Sequence, residues 1–164
     1  MRMTLTLALG GLTLAAAGFA LYPGDAQEAL DRGYYGLARA YLEKTAEAGE
    51  APAQNALANL YYLGLGGKKD QARAAQWYLK AAAQDHSPAH VNIARMYRLG
   101  LGVKQDVIRS YGWLLYARAN GNEKAEIWMR AVVSGVSIAP NQAIYAREHY
   151  RTLDALMSGA KTGP

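Results

Sequence analysis

Residues 53–88 read AQNALANLYYLGLGGKKDQARAAQWYLKAAAQDHSP, and residues 89–124 read AHVNIARMYRLGLGVKQDVIRSYGWLLYARANGNEK. Set one above the other without a gap, they are identical at 14 of 36 positions. The identities are not scattered. They include Ala58/Ala94, Tyr61/Tyr97, the run Leu63-Gly64-Leu65-Gly66 against Leu99-Gly100-Leu101-Gly102, Asp70/Asp106, Arg73/Arg109 and Trp77/Trp113. Self-similarity at a fixed period of about 20–50 residues marks a repeat array. The register continues outward: Ala38, Ala74, Ser110 and Ala146 are spaced by 36, as are Tyr41, Trp77, Trp113 and His149. Four units follow, at about 25–52, 53–88, 89–124 and 125–158, with weaker copies at the ends, where a terminal repeat must present a solvated face.

Each unit reads as two helices. Ala53, Leu57 and Tyr61 stand at i, i+4 and i+8, one helical stripe, and Ala89, Ile93 and Tyr97 repeat it. Gly64 and Gly100 are placed to end the first helices, because glycine accepts a left-handed backbone. Asp70 and Asp106 are placed to cap the second helices, where a carboxylate satisfies otherwise unpaired N–H groups. Ala74, Trp77, Tyr78 and Ala81 form the second stripe. In the outer units, Gln27 to Arg32 with Gly33 as stop, Tyr35 to Ala48, Lys124 to Val133, and a last helix capped by Asn141 and running to Met157 fit the same plan, with Ser134 to Pro140 as a loop and 159–164 as a loose tail. No alternating segment is long enough for a sheet. The predicted fold is an all-α, α/α solenoid of about four 36-residue helix-turn-helix repeats.

The chain has 164 residues, no cysteine and a net charge of +5. Without cysteine there is no disulfide framework, thiol nucleophile or Cys-ligated metal site. Residues 3–24 carry no charge and follow Arg2. An apolar run behind a basic start predicts an export signal, cleaved or retained as an inner-membrane anchor, so the remaining chain is expected in the periplasm. A buried core helix is the alternative reading of this stretch.

ALANLYYLGLGGKKDQARAAQWYLKAAAQ from Ala56 and NIARMYRLGLGVKQDVIRSYGWLLYARAN from Asn92 resemble the Sel-one-like repeat (SLR) family, a relative of the tetratricopeptide repeats. The resemblance covers about residues 26–158. Four features depart from the family pattern: Gly67 where Val103 is more typical, Asp85 where Gly49 and Gly121 keep the turn glycine, Arg118 in place of an alanine, and a fourth unit without the double-glycine loop. The resemblance implies a scaffold that holds other proteins on a concave face lined by first helices. Its bacterial exported members imply envelope processes, host contact or signalling, and immunity against secreted toxins.

Nothing in the sequence assembles a catalytic centre. Gly64-Leu65-Gly66-Gly67-Lys68 fails the phosphate-loop pattern and recurs in register, which makes it a turn. His86 and His90 have ligand spacing but no third ligand nearby, and no serine sits in a nucleophile elbow. The expectation is no enzyme, no metal and no cofactor, with an enzyme acting on cell-wall material as the remote alternative. Export and the lack of a binding motif argue against nucleic acid. The third unit holds six basic residues against two acidic ones, a local +4. With the concave face that the resemblance implies, this predicts a patch of Gln54, Asn55, Asn59, Tyr62, His90, Arg95 and Arg98 that binds an acidic protein. The repeating Tyr61, Tyr97, Trp77 and Trp113 are expected in the core. The non-repeating Tyr62, Tyr111, Tyr116 and Trp128 are candidates for recognition. The expected function is a non-enzymatic protein-binding scaffold or envelope accessory subunit, with an immunity protein as its sharpest form.

Overall fold

The computed structural model describes residues 23–135, 144, 146–148 and 151–152. Residues 1–22 of the expected leader, 136–143 with the expected cap Asn141, and the tail lie outside the described residues; Ser134 and Gly135, expected in a loop, are instead the last residues of α7. Seven helices follow one another: α1 (Ala26–Asp31), α2 (Tyr35–Glu47), α3 (Ala51–Leu63), α4 (Gln71–Ala82), α5 (Ser87–Leu99), α6 (Val107–Ala119) and α7 (Glu123–Gly135). Residues 144, 146–148 and 151–152 are also helical. Each helix packs on its successor, and α5 also meets α7, so first helices share one side of the stack. Among the described residues no helix is long and apolar enough to cross a membrane.

Capping follows the expected chemistry. Asp70 and Asp106 accept hydrogen bonds from the backbone N–H of Arg73 and Arg109 at 3.0 and 2.9 Å. Gly64 and Gly100 end α3 and α5 in the left-handed region, at φ 77° and 67°. The first helices begin two residues earlier than the stripe suggested, with Pro52 and Pro88 in their first turns, where a missing N–H costs nothing. The turns repeat too: Asp70 N–H donates to Tyr61 O at 2.9 Å, and Asp106 N–H to Tyr97 O at 2.8 Å.

Small residues set how closely the units stack. Ala38, Ala74, Ser110 and Ala146, spaced by 36, are all fully buried. The second glycine of each loop makes a contact that no side chain could. A Cβ on Gly66 would fall inside the Tyr35 carbonyl, and one on Gly102 inside the Gln71 carbonyl. Each loop therefore rests directly on the first turn of the preceding unit's second helix. The core aromatics divide: Tyr61 and Trp113 are buried, whereas Trp77 and Tyr97 are half-buried against the core. Lys80 covers Trp77, its ammonium 3.9 Å from the ring centroid.

Candidate protein-binding groove

An open groove of about 680 Å³ runs along the first helices. Asn55 and Asn59 of α3, Val91, Asn92 and Arg95 of α5, and Trp128 of α7 line it, together with the turns around Ser87 and Asn122. The helical spacing explains the lining: 55 and 59, or 91 and 95, are one turn apart on one face of their helix.

The arginines of α5 are held against rings. The Arg95 guanidinium lies 4.6 Å from the Tyr62 ring centroid on α3. The Arg98 guanidinium lies 5.6 Å from Trp128 on α7. Each Nε is buried and has no hydrogen-bond partner among the described residues. Most other described arginines have a carboxylate within 4 Å, among them Arg39, Arg73, Arg109 and Arg118. Arg95 and Arg98 have none among the described residues. A ring against a guanidinium restrains it, and with Nε buried the terminal Nη groups are the ones a carboxylate could meet.

The amides beside Arg95 are oriented from within. Asn59 Oδ1 accepts from the Tyr78 hydroxyl, and Asn55 Oδ1 accepts from Asn92 Nδ2 at 3.1 Å. Asn122 Nδ2 donates to Ser87 O and Oγ at 3.0 and 2.8 Å. Burial pushes the Tyr78 phenol up to about 12, so it stays protonated and donates at neutral pH. Burial also lowers the pKa of His86, at the start of α5.

Of the seven residues expected to bind a partner, Asn55, Asn59 and Arg95 line this groove, whereas Tyr62 and Arg98 do not line it but touch residues that do, Arg95 and Trp128. Gln54 and His90 are corrections, for both are buried. Gln54 Nε2 donates to Ala46 O at 3.1 Å, and His90 Nε2 lies 3.2 Å from Ala82 O. Both pairs are 36 residues apart, so these side chains are a repeated clasp on the end of the preceding helix. At the next position the clasp becomes an ion pair, Arg118 to Glu126 at 3.5 Å.

Tyr116, expected on a recognition face, is a second correction: it is 2% exposed. Its hydroxyl donates to Asp85 Oδ1 at 2.6 Å, and its ring meets His90 edge-on at 5.0 Å. Asp85 holds φ 60° in place of the turn glycine. Two departures from the repeat pattern, Asp85 and Tyr116, thus account for one another. Tyr111 is half-buried against the core. Trp128 lies in the groove; the absence of a repeat-equivalent aromatic was its signal. Among the described residues no group of three or more His, Asp or Glu could hold a metal.

The Sel1 repeat family model matches residues 16–50, 51–86 and 87–122. The chain belongs to the Sel1-repeat family. It is similar to c5321, described as a protective antigen present in uropathogenic Escherichia coli strains displaying an SLR fold, with 26% identity over 86% of this chain and a TM-score of 0.70. It is also similar to a Sel1 repeat protein from Oxalobacter formigenes, with 30% identity over 76% of this chain and a TM-score of 0.62. The chain spans 33% and 54% of the lengths of these two structures. Among curated proteins no sequence matches it. Sel1 repeats form an interaction fold that generally binds proteins and is typically non-catalytic.

Proposed function

We propose that this chain is a non-enzymatic adaptor that holds an acidic protein in its groove, exported to the bacterial envelope and facing the periplasm. The observation that carries the reading is the pair of arginines held over aromatic rings. In the third unit Arg95 and Arg98 are fixed against Tyr62 and Trp128 with no internal carboxylate among the described residues. Orienting a guanidinium before binding lowers the ordering cost of an ion pair, and aromatic and arginine side chains dominate binding hot spots. The uncharged run behind Arg2 supports export, with inner-membrane association if it is retained.

The test is affinity capture from the native envelope with the C-terminally tagged full chain and its Arg95→Glu/Arg98→Glu variant. The expected result is one dominant protein partner, lost from the variant. A dominant partner retained by the variant would place binding elsewhere on the array, and no partner in either sample would overturn the adaptor reading.

A further inference from the structure

We infer that the edge formed by the turns within the units is a second interaction surface, which seats on an anionic lipid bilayer. This goes beyond the adaptor reading and does not rest on it. Consecutive helices alternate in direction, so the turns α1–α2, α3–α4 and α5–α6 gather at one edge and the turns between units at the other. The backbone contacts of Gly66 on Tyr35 and of Gly102 on Gln71 lay the three turns of the first edge side by side.

The two edges differ. Six large apolar or aromatic side chains stand exposed among the described residues, and four of them are at the first edge: Tyr34, Tyr35, Leu63 and Leu99. Leu63 and Leu99 end α3 and α5, occupy the same repeat position and are 59% and 44% exposed. The array thus presents a leucine to water twice at one place, which packing of the stack does not require. Lys68, Lys69 and Lys104 are exposed in the same turns and have no carboxylate within 4 Å among the described residues. The acids of this edge are engaged: Asp70 and Asp106 pair with Arg73 and Arg109 at 3.3 and 3.2 Å, and Asp31 accepts from Gln27 Nε2 at 2.7 Å. At the other edge, positions 47–50, 83–86 and 119–123 hold Glu47, Glu50, Asp85 and Glu123, with neither lysine nor arginine. None of the exposed large side chains lies there.

Apolar tips among unpaired lysines select the partner. The core of a protein interface is depleted in lysine and seats its anchors together in packed pockets. Here the tips project from separate turns in a row, each flanked by polar backbone. A bilayer surface suits both components: leucine and tyrosine enter the headgroup boundary, while lysines reach the lipid phosphates with their apolar stems laid along the surface. The turns that line the groove, around Ser87 and Asn122, belong to the other edge, so an array resting on a bilayer keeps its groove open.

The chain has no cysteine, so one introduced thiol can carry an environment-sensitive fluorophore on the full chain. Leu63→Cys and Leu99→Cys report this edge, and Ala48→Cys and Ala83→Cys, both exposed, report the other. On vesicles of equal parts phosphatidylglycerol and phosphatidylcholine, the first two labels are expected to shift to the blue and the last two to keep their aqueous emission. The lipid needed for half of the Leu99→Cys shift is expected to rise about hundredfold when Lys68→Gln, Lys69→Gln and Lys104→Gln are added, at about fivefold per lysine, with the melting temperature unchanged. Labels are compared between positions of one chain, so vesicle binding by the apolar N-terminal run cannot imitate the difference. Equal shifts on phosphatidylcholine alone, or a titration unmoved by the lysine substitutions, would overturn the anionic bilayer. A chain that sediments with vesicles while all four labels stay aqueous would overturn the edge as its contact. Labels at 63 and 99 that stay aqueous on vesicles but shift with a captured envelope protein would overturn the bilayer and give the edge to that protein.

Discussion

Tyr61 and Tyr62 are adjacent in the chain and share one device, a ring beneath a guanidinium, yet they put it to different uses. Tyr61 turns toward α2 and α4. Arg39 lies over its ring at 4.0 Å, its hydroxyl donates to Glu43 Oε1 at 3.1 Å, and Glu43 also binds Arg39 at 3.1 Å. Arg73 donates to the Tyr61 hydroxyl at 3.4 Å and is itself paired with Asp70 at 3.3 Å. Burial alone would lower the Arg39 pKa, and its bonds to Glu43 and Tyr61 outweigh that and raise it. Every charge there is answered from within the chain. Tyr62 turns toward α5, where Arg95 lies over its ring but is answered by no carboxylate among the described residues. The difference separates an interaction that holds the stack together from one that the stack holds ready.

The largest effect expected is one that breaks both sides together. Gly102→Ala forces a Cβ into the Gln71 carbonyl and a side chain into φ 69°. Backbone cannot yield as a side-chain tip can, so urea denaturation should show a loss of about 3–5 kcal/mol. Next, Arg39→Ala and Arg95→Ala should separate the two sides. The first removes a half-buried cation from an internal network and should cost about 1–2 kcal/mol of stability without altering partner affinity. The second should weaken the partner tenfold or more and move the melting midpoint little. Equal effects of both variants on stability, with none on binding, would erase the contrast.

The smallest effect sharpens it from another direction. Ser110 Oγ is buried with no hydrogen-bond partner among the described residues, like the Nε atoms of Arg95 and Arg98. It lies deep in the alanine register, out of reach of any ligand, so its orphaned hydroxyl is only a liability. Ser110→Ala should raise stability by about 1 kcal/mol and leave binding untouched. An unchanged or lowered stability on denaturation would show that the hydroxyl contributes something the alanines lack.

The scaffold was legible in the sequence because its determinants are local and repeated. The capping aspartates, the left-handed glycines and the buried small residues at 38, 74, 110 and 146 each depend on one position's own chemistry. The groove was legible in part. Asn55, Asn59, Tyr62, Arg95 and Arg98 are polar or aromatic where the repeat varies, and they face or flank one surface. Gln54 and His90 misled because polarity at a variable position reads as exposure. Their partner is a carbonyl eight residues earlier, at the end of another helix, which a single-helix stripe does not reveal. Tyr116 misled for a related reason: its partner Asp85 is 31 residues away and lies in a turn. Burial of a polar side chain depends on a pair, and only one member of the pair is visible at a time. The pairing of Asp85 with Tyr116 also yields a rule: two departures from a repeat, close in space, should be read together before either is assigned to the surface.

The glycine contacts also set the increments in which this molecule can change length. Gly66 rests on Tyr35 and Gly102 on Gln71, with the same 36-residue step on both sides of the contact. A duplicated unit inserted between them would carry its own glycine and its own receiving turn, so every junction would be rebuilt as before. An insertion of any other size would leave one loop without its seat. Copy number is therefore free to vary in whole units, and each added unit would extend the groove by one more first helix without redesigning those already there.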